Sequence, residues 1–140
     1  MRTLPAVRER RGDKVSAVLR LQYSEPVRLD MGQLEVLNSN LGPASADQVI
    51  NQALEEVATA LGRISRQYRE GEIKALRGAV RALVAVAQQL GMTTLARVGR
   101  DVLELSEGFD GAAFGAAVAR LERCGERSLI ALWDLQDLSI

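Results

Sequence analysis

Residues 70 to 91 contain the feature that most limits how this chain can fold. Apolar residues recur there at alternating steps of three and four, the spacing of one face of an α-helix. These apolar positions are Ile73, Leu76, Val80, Leu83, Ala87 and Leu90. The opposite face contains Lys74, Gly78, Arg81, Ala85 and Gln88. Gly91 follows the last apolar residue and predicts a left-handed helix cap. The sequence therefore predicts an amphipathic helix whose outer face is the place to look for function.

Three further segments have the same periodicity and predict three more long helices. The first of these ends at about Arg69, the second carries apolar residues from Leu95 to Leu105, and the third runs from about Ala112 to Leu135. A short helix that opens near residue 29 precedes them.

Polar residues ahead of these segments predict where each helix begins. Asp30 is the expected N-cap of the short helix, and Asp110 that of the last helix. The tetrapeptide at 45–48, Ser-Ala-Asp-Gln, has the spacing of a capping box. Thr93 or Thr94 is expected to cap the helix that follows Gly91-Met92.

The composition favours a helical domain with an aliphatic core. The chain has 140 residues, of which 47% are hydrophobic but only 4% aromatic, and it contains 3 prolines. Long amphipathic helices joined by short turns pack antiparallel. We therefore expect an all-α fold, an antiparallel up-down four-helix bundle over residues 28–140, with the short helix as an N-terminal lid. Residues 1–27 are expected to form an extended arm, disordered at 1–14 and strand-like at 19–23.

The amphipathic helix resembles that of the histidine-containing phosphotransfer (Hpt) family, whose helix reads His-x-Leu-Lys-Gly-x-Ala-x-x-Leu-Gly. The matching residues are Leu83, Ala87, Leu90 and Gly91, and Gly71-Glu72-Ile73 precedes the helix. The order of elements is also similar over about residues 28–135. The resemblance implies a helical bundle and a setting in two-component phosphorelay signalling.

The departures from that pattern fall on the family's chemistry. Arg81 stands in place of the phosphorylated histidine, Val84 in place of the lysine, and Ala85 in place of the glycine, and the chain contains no histidine. A guanidinium group keeps its proton above pH 12 and has no lone pair for attack. Cys124, the one cysteine, lies on an apolar helix face and is expected in the core. We therefore expect no enzymatic activity.

A docking surface for a protein partner remains as the expected function. The predicted partner-binding residues are Lys74, Arg77, Gly78, Arg81, Val84, Ala85 and Gln88. The expected partner is the receiver domain of a response regulator, which presents a carboxylate cluster in this family, or a histidine kinase. Arg81 would make charge-assisted bonds to such carboxylates. Lys74, Arg77 and Arg81 are expected to form a basic stripe that no glutamate interrupts.

Other interpretations of these residues remain open at this point. The cations can be a solvated face, and Gly78 can serve the close approach of another helix. Val84 can be exposed at the rim of the dock or buried in the core. Trp133 is expected to be an anchor in the core or at its boundary.

Two other functions are also considered. The bundle could be an assembly protein that homodimerises through its arm, or basic residues of the arm could bind nucleic acid. The net charge of the chain is zero, so its overall charge does not favour binding to nucleic acid. We expect no cofactor, no metal site and no membrane span, and a cytoplasmic location.

Overall fold

The computed structural model of the protein describes residues 26–138, with side chains up to residue 136, and this part of the chain is all-helical. Its helices are α1 (Met31–Leu41), α2 (Pro43–Arg69), α3 (Ile73–Gln89), α4 (Thr93–Leu105) and α5 (Gly111–Leu138). Over this range the extended pairing consists of one isolated antiparallel bridge, between Leu29 and Met92. The disordered segment and the strand predicted within residues 1–23 lie outside the described residues.

Each helix packs against the next one along the chain, and α2 also packs against α5. The apolar stripe of α3 faces the shared core: Leu76, Val80, Leu83 and Ala87 are buried. Ile73, at the start of the stripe, is half-buried. The largest side chains of the core are aliphatic, as the composition predicted, and they come from α2 to α5 and from the turn between α3 and α4. They are Val57, Ile64, Leu76, Val80, Leu83, Leu90, Met92, Leu95, Val98, Val102, Leu121 and Leu132.

Two of the predicted N-caps are confirmed. The Asp30 carboxylate accepts a hydrogen bond from the backbone N–H of Gln33 at 3.2 Å, at the start of α1. The Asp110 carboxylate accepts one from the backbone N–H of Ala113 at 2.9 Å, at the start of α5. Each bond satisfies a donor that has no partner within its own helix.

The other two predicted caps are wrong. The helix α2 already begins at Pro43, two residues before Ser45, because the fixed φ of proline suits the first helical position and its missing N–H costs nothing there. The residue that precedes α4 is Met92, with no side-chain cap. Thr93 and Thr94 are inside the helix, and their hydroxyls bind another part of the chain.

The chain that enters α1 is held against the turn between α3 and α4. The backbone N–H of Asp30 donates to the carbonyl of Gly91 at 2.6 Å, and the N–H of Thr93 donates to the carbonyl of Arg28 at 3.2 Å. Gly91 has φ +73°, which confirms the predicted left-handed cap. A Cβ at this residue would lie 2.7 Å from the carbonyl oxygen of Asp30. Glycine is therefore required here for both conformation and space.

Two glycines allow neighbouring helices to approach closely. A Cβ on Gly99 in α4 would lie 2.5 Å from a methyl group of Val84 in α3. A Cβ on Gly125 in α5 would clash with the side chain of Leu61 in α2. At both places the neighbouring side chain occupies the volume that a larger residue would need.

The two predicted core residues of α5 behave differently. Cys124 is fully buried, as expected. Trp133 is 62% exposed, so its prediction as a core or boundary anchor is wrong. The adjacent Leu132 is buried at 1% exposure, and one residue further along a helix the side chain is turned by about 100° away from the core. Ile130, also on α5, is 59% exposed.

Candidate docking face on helix α3

The predicted docking residues on the far side of α3 from the core are exposed. We name this surface the α3 outer face; it consists of Lys74, Gly78, Arg81, Ala85 and Gln88. They are exposed because the apolar stripe on the opposite side of the same helix is buried, which turns these residues towards solvent. The structure therefore brings five of the predicted residues together on one continuous strip.

Arg77 is not part of this strip. Its guanidinium Nη2 makes an ion pair of 2.6 Å with the Oε1 of Glu107, which follows α4, and its side chain is 30% exposed. Its Nε atom is buried without a hydrogen-bond partner. The expectation that no glutamate interrupts the basic stripe is wrong, since the turn after α4 brings Glu107 to it. Arg77 therefore contributes less free charge than Lys74 and Arg81.

Val84 is half-buried and packs against the core from the boundary between α3 and α4. Its methyl group lies over Gly99, whose missing side chain leaves room for it. The sequence left open whether Val84 is exposed or buried, and the structure places it between these two positions. Val84 helps to hold the two helices together, and the remainder of its surface is available beside the α3 outer face.

Gly78 differs from the glycines at the helix contacts. No atom lies within 4 Å of the position where its Cβ would be, so within residues 26–138 no other helix requires a glycine there. A glycine inside a helix costs about 1 kcal/mol relative to alanine. Gly62 in α2 shares this open environment and provides a natural comparison. The interpretation of Gly78 as a site of close packing inside the molecule loses its support.

The charge of α3 has one sign. Lys74, Arg77 and Arg81 are its charged residues, and the helix has no carboxylate of its own. With Arg77 paired to Glu107, two cations remain along the exposed strip. Such a surface is complementary to an acidic partner, and exposed charges like these act mainly on the rate and specificity of association.

A groove between α2 and α3 lies beside this face, and sequence reasoning missed it. It has a volume of about 440 Å³. Its walls combine the small and apolar residues Ala60, Ala82 and Val86 with the charged residues Glu55, Glu56 and Arg63. The four-residue spacing of Ala82 and Val86 was a signal for a second, narrower apolar strip on α3.

The face has few groups that could carry out chemistry. Arg81 has no nucleophilic lone pair, and the Cys124 thiol is buried away from it. Over the described range, no group of three or more His, Cys, Asp or Glu side chains could hold a metal ion. The same range contains no helix of sufficient length and apolar character to cross a bilayer.

Comparisons of the chain with protein-family models, with curated proteins and with solved structures found no match.

Proposed function

We propose that this protein is a non-catalytic, Hpt-like binding module of two-component phosphorelay signalling. It docks the receiver domain of a response regulator, or a histidine kinase, without carrying phosphate. In this proposal α2 to α5 form an antiparallel up-down four-helix bundle in the cytoplasm, and α1 is a short lid over it. Support comes from the order of the helices, from their sequential packing and from the contact between α2 and α5 that would close the bundle.

The observation that carries the proposal is the α3 outer face. Arg81 is exposed between two very small residues, Gly78 and Ala85, so a partner can approach close to the helix backbone around it. The residues that match the Hpt pattern support the same helix from behind: Leu83, Ala87 and Leu90 are buried. Because the exposed strip is cationic and the partner's pocket is expected to be acidic, the two surfaces are complementary.

The absence of histidine from the chain separates docking from phosphate transfer. In the family the nucleophile is a neutral imidazole, whose pKa lies near the working pH. Arg81 occupies that position with a permanent positive charge and can instead donate two parallel hydrogen bonds to a carboxylate or a phosphoryl group. The module would therefore occupy the docking site of a receiver and leave the phosphoryl group where it is.

Arg81→Glu is expected to weaken receiver binding by about tenfold to a hundredfold, because a charge-assisted bond contributes about 1.5–3 kcal/mol. Surface plasmon resonance against a panel of receiver domains from the same cell measures this. The difference between natural protein and variant is expected to shrink as salt is raised, since exposed charges are screened over about 10 Å at 0.1 M. Incubation with a phosphorylated receiver should transfer no acid-labile phosphate to the protein.

Two matched controls accompany this measurement. Arg66→Glu reverses an exposed charge near the end of α2 and should leave binding nearly unchanged. Gly78→Leu should block the α3 outer face, whereas Gly62→Leu places the same side chain in equally open space on α2. Equal loss of binding in both leucine variants, or no binding to any receiver or kinase, would contradict the docking proposal. A stable phosphate on any residue would contradict its non-catalytic part.

The alternative function, assembly of identical chains, was predicted to use the arm of residues 1–27, most of which lies outside the described residues. The described residues offer a different surface for such assembly. Ile130 and Trp133 are large apolar side chains that α5 exposes at 59% and 62%. Exposed aromatic residues are enriched where proteins meet. The assembly proposal differs from the docking proposal in the surface it uses, because these residues lie on α5 rather than on α3.

The fluorescence of Trp133 distinguishes the two functions, because the chain has a single tryptophan. If the protein docks partners as a monomer, the indole stays in water, so acrylamide should quench it strongly at every protein concentration. If α5 is an interface between copies, emission should shift to shorter wavelength and quenching should fall as concentration rises. Ile130→Asp should then abolish that dependence while leaving the helical circular dichroism signal unchanged.

A further inference from the structure

A second polar feature lies at the beginning of α4, and it belongs neither to the α3 outer face nor to the α2–α3 groove. It is a cavity of about 520 Å³, a size typical of small-molecule sites. We name it the arginine cavity; it is lined by Pro26, Arg28, Thr93, Thr94, Arg97 and Arg100. Half of these residues are arginines, and none is acidic.

The backbone of Arg28 is fixed over the first turn of α4 by hydrogen bonds. Its N–H donates to the hydroxyl of Thr94 at 2.8 Å. Its carbonyl accepts from both the N–H and the hydroxyl of Thr93, each at 3.2 Å. These bonds account for the threonines that were expected to cap the helix. Arg97 and Arg100 follow one and two turns along the same exposed side of α4, so three arginines line one space.

The described part of the chain provides no carboxylate that pairs with the arginines of this cavity. Within residues 26–138, no ion pair involves Arg28, Arg97 or Arg100. Two nearby acidic residues have other partners: Asp30 accepts from the N–H of Gln33, and Asp101 lies 3.6 Å from the guanidinium of Arg120. Three arginines that have no ion-pair partner among residues 26–138 therefore surround one cavity, which makes it a candidate anion site.

We propose that the arginine cavity binds a diphosphate group, either as the free anion or as part of a nucleotide. Guanidinium groups bind phosphate oxygens through two parallel hydrogen bonds, and three of them match a group with several charged oxygens. The first turn of α4 has no side-chain cap, and the helix dipole adds partial positive charge there, although the N–H of Thr93 already donates to the carbonyl of Arg28. The volume of about 520 Å³ has room for a diphosphate and for the rest of a nucleotide. This site is independent of the docking function of α3.

Isothermal titration calorimetry of the full chain with inorganic pyrophosphate, at constant ionic strength, tests the proposal. We expect saturable binding that Arg97→Ala and Arg100→Ala each weaken by about tenfold or more. Arg97→Lys and Arg100→Lys should give intermediate losses, because lysine keeps the charge but lacks the planar fork. Arg66→Ala, which removes an exposed arginine from α2 outside the cavity, is the matched control and should bind as the natural protein does. Circular dichroism verifies that each variant is folded.

Parallel titrations with a nucleoside diphosphate, inorganic phosphate and sulfate identify the source of the ligand. Tighter binding of the nucleoside diphosphate than of pyrophosphate assigns a nucleotide, and equal or weaker binding assigns the diphosphate itself. The proposal is overturned if pyrophosphate binds no more tightly than sulfate. It is also overturned if the cavity variants bind as the natural protein does, or if Arg66→Ala loses as much affinity as they do.

Discussion

Leu83→Asp is expected to destabilise the protein strongly. Leu83 is 1% exposed and lies in the apolar stripe of α3, so an aspartate there would place a carboxylate with no partner in the aliphatic core. Burying such a group costs several kcal/mol, and removing the leucine loses a further share of buried apolar surface. We therefore expect a loss of at least about 4 kcal/mol, a large part of the roughly 5–15 kcal/mol by which single domains are typically stable.

Urea denaturation followed by far-UV circular dichroism measures this change, and the chain itself provides the control. Ala85→Asp introduces the same charge two residues further along α3, on the exposed face, and is expected to cost less than about 1 kcal/mol. The natural protein and the control should both have mainly helical spectra. Similar midpoints for the two aspartate variants would show that the buried face of α3 has been assigned incorrectly.

Gly91→Ala is expected to destabilise the protein by about 3 kcal/mol or more, because two costs add at this residue. The first cost is conformational, since Gly91 has φ +73°, a region that residues with a Cβ occupy at a cost of about 1–2 kcal/mol. The second cost is steric. The new methyl group would lie 2.7 Å from the carbonyl oxygen of Asp30, which is backbone and cannot rotate away. The bond between the N–H of Asp30 and the carbonyl of Gly91 would have to lengthen or break.

Gly71→Ala separates these two costs. Gly71 has φ +72°, nearly the same as Gly91, but nothing lies within 4 Å of its Cβ position. Its replacement should therefore show the conformational cost alone, about 1–2 kcal/mol. The difference between the two midpoints in urea then measures the clash with the segment that enters α1. If both variants lose the same stability, that segment does not hold its place against the α3–α4 turn.

The helices and the exposed side of α3 could be predicted from the sequence because they depend on the order of residues within a single segment. The spacing of Leu76, Val80 and Leu83 selects one side of a helix for burial, and that choice turns Arg81 towards solvent without reference to any other segment. The left-handed cap at Gly91 is local in the same sense, since only a few neighbouring backbone groups determine it. Most of the proposed docking face could therefore be predicted before the fold was known.

The remaining details depend on contacts between residues far apart in sequence. Glu107 lies 30 residues beyond Arg77, and only the packing of α4 against α3 brings the two charges to 2.6 Å. Trp133 has a large apolar side chain of the kind that often lies in a core. The orientation of α5 buries Leu132 instead and leaves Trp133 exposed.

The arginine cavity could not be predicted from any local sequence pattern, because its residues come from segments that are far apart in the chain. Arg28 and Arg97 are separated by three helices in the chain. Thr93 and Thr94 were predicted to be helix caps, but their hydroxyls form hydrogen bonds with the backbone of Arg28. The sequence by itself determined which residues form helices and which side of each helix faces the core, because those properties follow from the period of a single segment. Only the tertiary structure decided which charges meet and which stay unpaired, because that depends on the distances between segments.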